Sequence, residues 1–182
     1  MAQLTKPRVL LLGLDGATFS LLDRLAERGL MPGYRRWKSE GASGPLQSTN
    51  PPTTPPAWSS CVTGMNPGGH GVYDFKESFH QDRSRAMVTG RSLRAPRIWD
   101  VLAQSGRRSC ILNFPLIWPP EPIEGVMVCG MMAPDGTTRL TWPQAEAERL
   151  RRQVPGYRSN VDIPGFDVDF LSGALGFMDE LE

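Results

Sequence analysis

Hydrophobic positions along the chain fall into two alternating rhythms. Residues 8–14, RVLLLGL, are a continuous apolar run closed by Asp15-Gly16, the pattern of a strand buried on both faces of a parallel sheet. In TFSLLDRLAERG, residues 18–29, Phe19, Leu22, Leu25 and Ala26 recur at helical spacing before a terminal glycine. The same rhythm predicts helices from Pro32 to Glu40, through Ala57 to Thr63, and from Arg97 to Ser105. RSCILNF, residues 108–114, reads as the next buried strand and residues 126–131 as a third. Pro143 to Arg152 is a charged surface helix and Phe170 to Leu181 a last amphipathic one. Strands separated by helices predict an α/β fold with a mostly parallel sheet. No internal repeat and no Gly- or Ser-rich linker interrupts the chain, so residues 1–182 are expected to belong to one domain.

Composition narrows the function classes. With 182 residues, 40% hydrophobic content and a formal net charge of +1, the chain can build an ordinary core. It lacks the charge excess of a disordered tail or a nucleic-acid track. No apolar run near the start is long enough to cross a bilayer or to form a signal-peptide core, so a soluble, cytoplasmic protein without membrane partners is expected. Three cysteines, Cys61, Cys110 and Cys129, are odd in number and widely spaced. That fits neither a disulfide framework nor a CxxC metal knuckle, and all three are expected to be small buried hydrophobes. Oligomeric state is not encoded in any pattern of this kind.

Two residues stand out chemically. Ligands of open parallel sheets gather outside the carboxyl ends of the strands, which makes Asp15 a site candidate as well as a turn or capping residue. In TNPPTTPPAWSSC, residues 49–61, Thr54 directly precedes Pro55 and Pro56. A residue before proline is pushed towards an extended conformation, and proline is favoured at the first helical position. Thr54 is therefore expected to cap a helix, where first-turn amides and the helix dipole favour an anion. A threonine hydroxyl becomes a nucleophile only when a base or a metal lowers its pKa. A carboxylate at a neighbouring strand end, such as Asp15, suits that metal.

GLDGAT resembles the DxDGT motif of haloacid dehalogenase phosphatases, but the nucleophilic aspartate of that motif falls on Gly13. The longer order of LDG followed by PPTTPPAWSSCVTGMNPGGHGVYDF resembles the alkaline phosphatase superfamily, within it the type I phosphodiesterase and nucleotide pyrophosphatase branch. NFPLIWPPEPIEGVMVCGMMAPD, residues 113–135, is similar to a segment that follows in bacterial members. The resemblance implies an alkaline-phosphatase-like α/β/α sandwich, incomplete in this chain. It implies a metal-dependent phosphoester hydrolase with small phosphoester or nucleotide substrates. Thr54 becomes the nucleophile, and Asp15 together with Thr54 the ligands of one of two divalent ions, most plausibly zinc. The TG-x-x-P-x-x-HG pattern falls on Thr63, Gly64, Pro67, His70 and Gly71.

Two departures accompany it. The asparagine that contacts the phosphoryl oxygen in nucleotide pyrophosphatases is missing after His70-Gly71, where the chain reads Val72-Tyr73-Asp74-Phe75. No later D-x-x-x-H or Asp-His pair supplies the second half of the metal site, so this chain carries half of it. A non-catalytic domain of the same fold is the competing reading, and a relative acting on phosphomonoesters or sulfate esters a third; a formylglycine sulfatase needs Cys or Ser where Thr54 stands. His70 is expected to pack and hydrogen-bond a loop, His80 to be solvated, and Asp167 and Asp169 to serve a turn before the last helix. Arg149, Arg151, Arg152 and Arg158 read as a solvated basic face, and Trp118-Pro119-Pro120 as a rigid loop.

Overall fold

The first helix, α1 (Phe19–Glu27), begins where Thr18 turns its hydroxyl back to accept the Leu21 N–H at 3.4 Å. It is followed by Gly29 at φ 76°, a left-handed residue of the kind that closes helices. α2 (Pro32–Glu40) starts with proline in its first turn, has no buried residue, and packs beside α1. A polar cluster joins the pair. Asp23 accepts from Lys38 Nζ at 2.6 and 2.7 Å and from the Tyr34 hydroxyl at 2.7 Å, while Lys38 also lies over the Phe19 and Tyr34 rings. Lys38, and after it Tyr34, holds the Asp23 carboxyl below its ordinary range. The cluster faces water, so screening leaves it a modest staple.

The computed structural model describes residues 9–77, 86–134, 136–157, 159 and 160. His80, Arg158, Asp167, Asp169 and the helix expected at 170–181 lie outside them. Two compact units make up the chain, residues 1–48 and 49–182.

Within the first unit the expected opening strand does not form. Val9 and Leu10 are 91% and 87% exposed, and residues 9–14 carry no regular structure. A strand exists only through lateral partners, and the described residues of this unit provide helices alone.

The second unit carries α3 (Thr54–Thr63), the single-turn α4 (Pro67–His70), a 3₁₀ turn (Gly90–Ser92), α5 (Ile98–Gln104), β1 (Ser109–Phe114), β2 (Gly125–Cys129), the two-residue β3 (Thr141–Trp142) and α6 (Glu146–Gln153). Among the described residues no helix is long and apolar enough to cross a membrane. The sheet order is β1-β2-β3, parallel between the first two strands and antiparallel to the third. This is a mixed α/β fold. β1 is less buried than its apolar run suggests, because it lies at the sheet edge and only Ile111 is fully covered. Met127 and Cys129 of β2 are completely buried and meet Val62, Trp99, Ile111 and Ile117 in the main core. Side chains of this size each contribute about 1.5–3 kcal/mol on burial.

The cysteine expectation holds for one residue of three. Cys129 is buried, whereas Cys61 and Cys110 are exposed, because each sits on the outer side of an element whose other side faces the core. The Trp118–Pro119 peptide is cis, and the Trp118 carbonyl accepts from the Gly90 N–H at 3.0 Å, which ties that loop to the 3₁₀ turn. On α6, Arg149 and Arg151 pair with Glu146 and Glu148 at the surface, as a solvated face should.

Gly125 sets the start of the parallel pair opposite Ser109. Its φ is 141°, and a Cβ there would overlap the Ser109 carbonyl. Gly125→Ala is therefore expected to destabilise the protein by more than about 2 kcal/mol, seen as a lower urea midpoint with an unchanged slope. An unaltered midpoint would show that β1 can yield.

Candidate functional site

The helix that bears Thr54 begins one residue earlier than the sequence suggests. Thr53 is the N-cap, with φ −120° and ψ 161° and no side-chain cap bond, and Ala57 donates its N–H to the Thr53 carbonyl at 3.2 Å. Thr54 is the first helical residue. The bias against helical backbone before proline is outweighed here by burial of both Pro55 and Pro56. The change alters the electrostatics. Prolines have no N–H, so only Thr54 among the first three helical positions carries an amide proton. The helix dipole remains at this end, but the cluster of first-turn amides expected to meet an anion does not. The Thr54 side chain is half-buried.

The segment after α3 holds the helix in place. Thr63 donates its hydroxyl to the Ser59 carbonyl at 2.7 Å, and Gly64 ends the helix at φ 66°. Asn66 caps α4 by accepting the Gly69 N–H at 3.0 Å, and Pro67 opens it from a buried position. His70 is fully buried. Its Nδ1 accepts the Val72 N–H at 3.1 Å, which puts the proton of the neutral ring on Nε2, 3.0 Å from Ser60 Oγ on α3. The His70 carbonyl takes the Arg94 N–H at 3.0 Å. His70 thus latches the α4 turn to the helix that bears Thr54, the loop-packing role expected from sequence. Burial pushes its pKa below the ordinary range, opposed by a hydrogen bond with the Pro56 backbone.

Asp15 lies in the first unit, exposed, on the turn it forms with Gly16 at φ 69°. Thr54 lies in the second. Carboxylate and hydroxyl oxygens suit a hard divalent ion. Among the described residues, however, no group of three or more His, Cys, Asp or Glu is placed to hold one. The described residues do not by themselves compose a metal centre.

One polar cluster went unread in the sequence, at the carboxyl ends of β1 and β2. Asn113, Leu116 and Met132 all adopt positive φ there, at 54°, 63° and 79°. Tyr157 donates its hydroxyl to the Cys129 carbonyl at 2.7 Å and stands 3.1 Å from Asn113 Oδ1. Asn160 accepts the Met132 N–H at 3.0 Å and donates to the Ala133 carbonyl at 2.8 Å. The available signal was the Asn-Phe-Pro triplet at a strand end, since asparagine tolerates left-handed backbone better than other L residues.

His70 yields a pH prediction. Its folded pKa is depressed, so its contribution to stability is full above about 6.5, the ordinary histidine value, and is lost as pH falls below it. Urea unfolding of the wild type from pH 7.5 to 5 should show falling stability, with a shallower dependence in His70→Gln. Equal pH slopes in the two proteins would remove His70 as the source.

A profile of the type I phosphodiesterase / nucleotide pyrophosphatase family matches residues 9–170, past the Asp135 limit of the sequence resemblance. No curated protein and no solved structure matches the chain. The profile spans both Asp15 and Thr54 together with the whole Thr63–Gly71 motif, and the chain belongs to the type I phosphodiesterase / nucleotide pyrophosphatase family of the alkaline phosphatase superfamily.

Proposed function

We propose that this chain is the N-terminal portion of an alkaline-phosphatase-like catalytic domain, and that Thr54 is the nucleophile of a metal-dependent phosphoester hydrolase. Family membership supports phosphoester hydrolysis on small phosphoester or nucleotide substrates. The observation that carries the choice of Thr54 is its place, in the first helical turn directly before the buried Pro55 and Pro56. Gly64, Pro67, His70 and Gly71 are each accounted for by helix capping, turn geometry or the His70 latch. Thr54 is half-buried in the first turn of the helix they hold. In this reading Thr54 Oγ1 bonds to phosphorus as the bond to the leaving oxygen breaks, in line, giving a phosphothreonine that water then hydrolyses. Asp15 and Thr54 would be ligands of one of two divalent ions, zinc in our assignment, and such ions would supply the positive charge that acidifies a hydroxyl and steadies a departing oxygen. Three free thiols agree with the reducing cytoplasm as the compartment.

In the complete natural protein, Thr54→Ala removes the attacking oxygen and leaves the prolines and their packing in place. Turnover of an aryl phosphodiester should fall by at least about 10³-fold, with the thermal midpoint preserved. Near-normal turnover would sink the assignment.

The 182-residue chain alone should behave differently. A catalytic zinc ordinarily has three protein ligands and an open position, and one carboxylate with one hydroxyl falls short of that. Calorimetry should find zinc bound no better than by a few exposed carboxylates, and an activated aryl phosphodiester should not be cleaved above background. A tight stoichiometric site, or turnover abolished by Asp15→Asn, would show that the remaining ligands are present after all.

A further inference from the structure

We propose that Asn113 is a substrate-contacting residue, its side-chain Nδ2 donating to a non-bridging phosphoryl oxygen of the ester at the carboxyl end of β1. The inference rests on the hydrolase reading above and adds a residue to which neither the sequence motifs nor the family match gives a role.

Position comes first. β1 and β2 are parallel, and ligands of such strands collect beyond their carboxyl ends. The pairing runs Leu112 with Val128 and then Phe114 with Cys129, so Asn113 is the extra residue of a bulge. Bulges re-aim side chains and recur beside active sites. Asn113 is exposed and has φ 54°, a backbone that L residues rarely adopt.

The surroundings hold the amide in one pose. A Cβ on Gly130 would overlap the Asn113 carbonyl and come within 2.8 Å of Asn113 Oδ1, so glycine is what lets the bulge close over β2. Tyr157, anchored to the Cys129 carbonyl, stands 3.1 Å from the same Oδ1. Burial pushes the Tyr157 hydroxyl up to about 12, so it remains a proton donor at neutral pH. With Oδ1 turned to Tyr157, Nδ2 presents its two protons from the other end of the planar amide.

The residue after Asn113 packs on the nucleophile's helix. The next residue, Phe114, meets Trp58 of α3 edge-on with ring centroids 5.0 Å apart. Trp58 follows Thr54 by four residues, and side chains so spaced share one helix face about 6 Å apart. Along the chain, Asn113 is one residue from this aromatic contact and Thr54 one helical turn from it. In-line attack places negative charge on the non-bridging oxygens, which a fixed neutral donor stabilises. The segment after His70-Gly71 has no amide side chain to do this, and its Asp74 carboxylate is engaged by the Phe75 N–H at 2.7 Å.

The test uses the complete natural protein loaded with divalent ions. Asn113→Gly keeps a residue at home in left-handed backbone and deletes the amide; Asn113→Asp keeps shape and backbone tolerance but replaces the donor with a negative acceptor. Both should retain the thermal midpoint. kcat/KM on an aryl phosphodiester should fall about 10- to 100-fold in Asn113→Gly, the value of one hydrogen bond to a charged oxygen, and at least as far in Asn113→Asp. Orthovanadate, titrated by calorimetry, should weaken by a similar factor in both. kcat/KM and vanadate affinity within about twofold of wild type in either folded variant would overturn the proposal, as would a loss that follows only a fall in the midpoint. If Thr54→Ala retains turnover while Asn113→Gly loses it, the nucleophile assignment fails and the Asn113 contact stands. A wild type that neither turns over the diester nor binds vanadate overturns both.

Discussion

Phe114 meets two tryptophans edge-on, Trp58 at 5.0 Å and 89° and Trp99 at 5.9 Å and 75°. These contacts join α3, α5 and the end of β1 at one point, and the rest of the second unit is arranged around them. Edge-to-face aromatic pairs add about 0.5–1.5 kcal/mol each beyond the area they bury. Their larger consequence is geometric. A ring gripped from two sides fixes both the height at which α3 crosses the strand and the residue at which the strand must bulge. Val62 and Ile117 complete the same core on either side.

The family motif gains a physical meaning from this packing. The Thr63–Gly71 stretch contains two left-handed glycines, a buried proline, an asparagine cap and a buried histidine. Every one of these serves to turn the chain back on α3 and hold it there.

Local signals made the helices legible. Thr18 capping α1, Pro32 opening α2 and Arg97 preceding α5 all appear where the pattern of apolar residues and breakers puts them. β1 and β2 begin one residue from their apolar runs, since strand identity follows from composition. What could not be read depends on partners. Residues 9–14 have the composition of a buried strand and, among the described residues of their own unit, no strand to pair with. β3 has two residues, too few for any periodicity, and exists because β2 offers it an edge. The cap at Thr53 turned on whether Pro55 and Pro56 would be buried, which is a tertiary matter. Among the residues proposed for the site, Thr54 was legible because prolines marked its helix, whereas the bulge at Asn113 emerges only when β1 is laid against β2.

The three thiols give the fold a built-in set of reporters. Cys129 is sealed in the core, and burial pushes its thiol up to about 12, far from the thiolate that reacts with alkylating reagents. Cys61 and Cys110 are open to solvent, one on α3 and the other on β1. A maleimide probe should therefore mark two positions in the native protein and three after unfolding. One native label sits on α3 and the other on β1, so a dye pair placed on them would register any shift of α3 against the sheet without a single substitution.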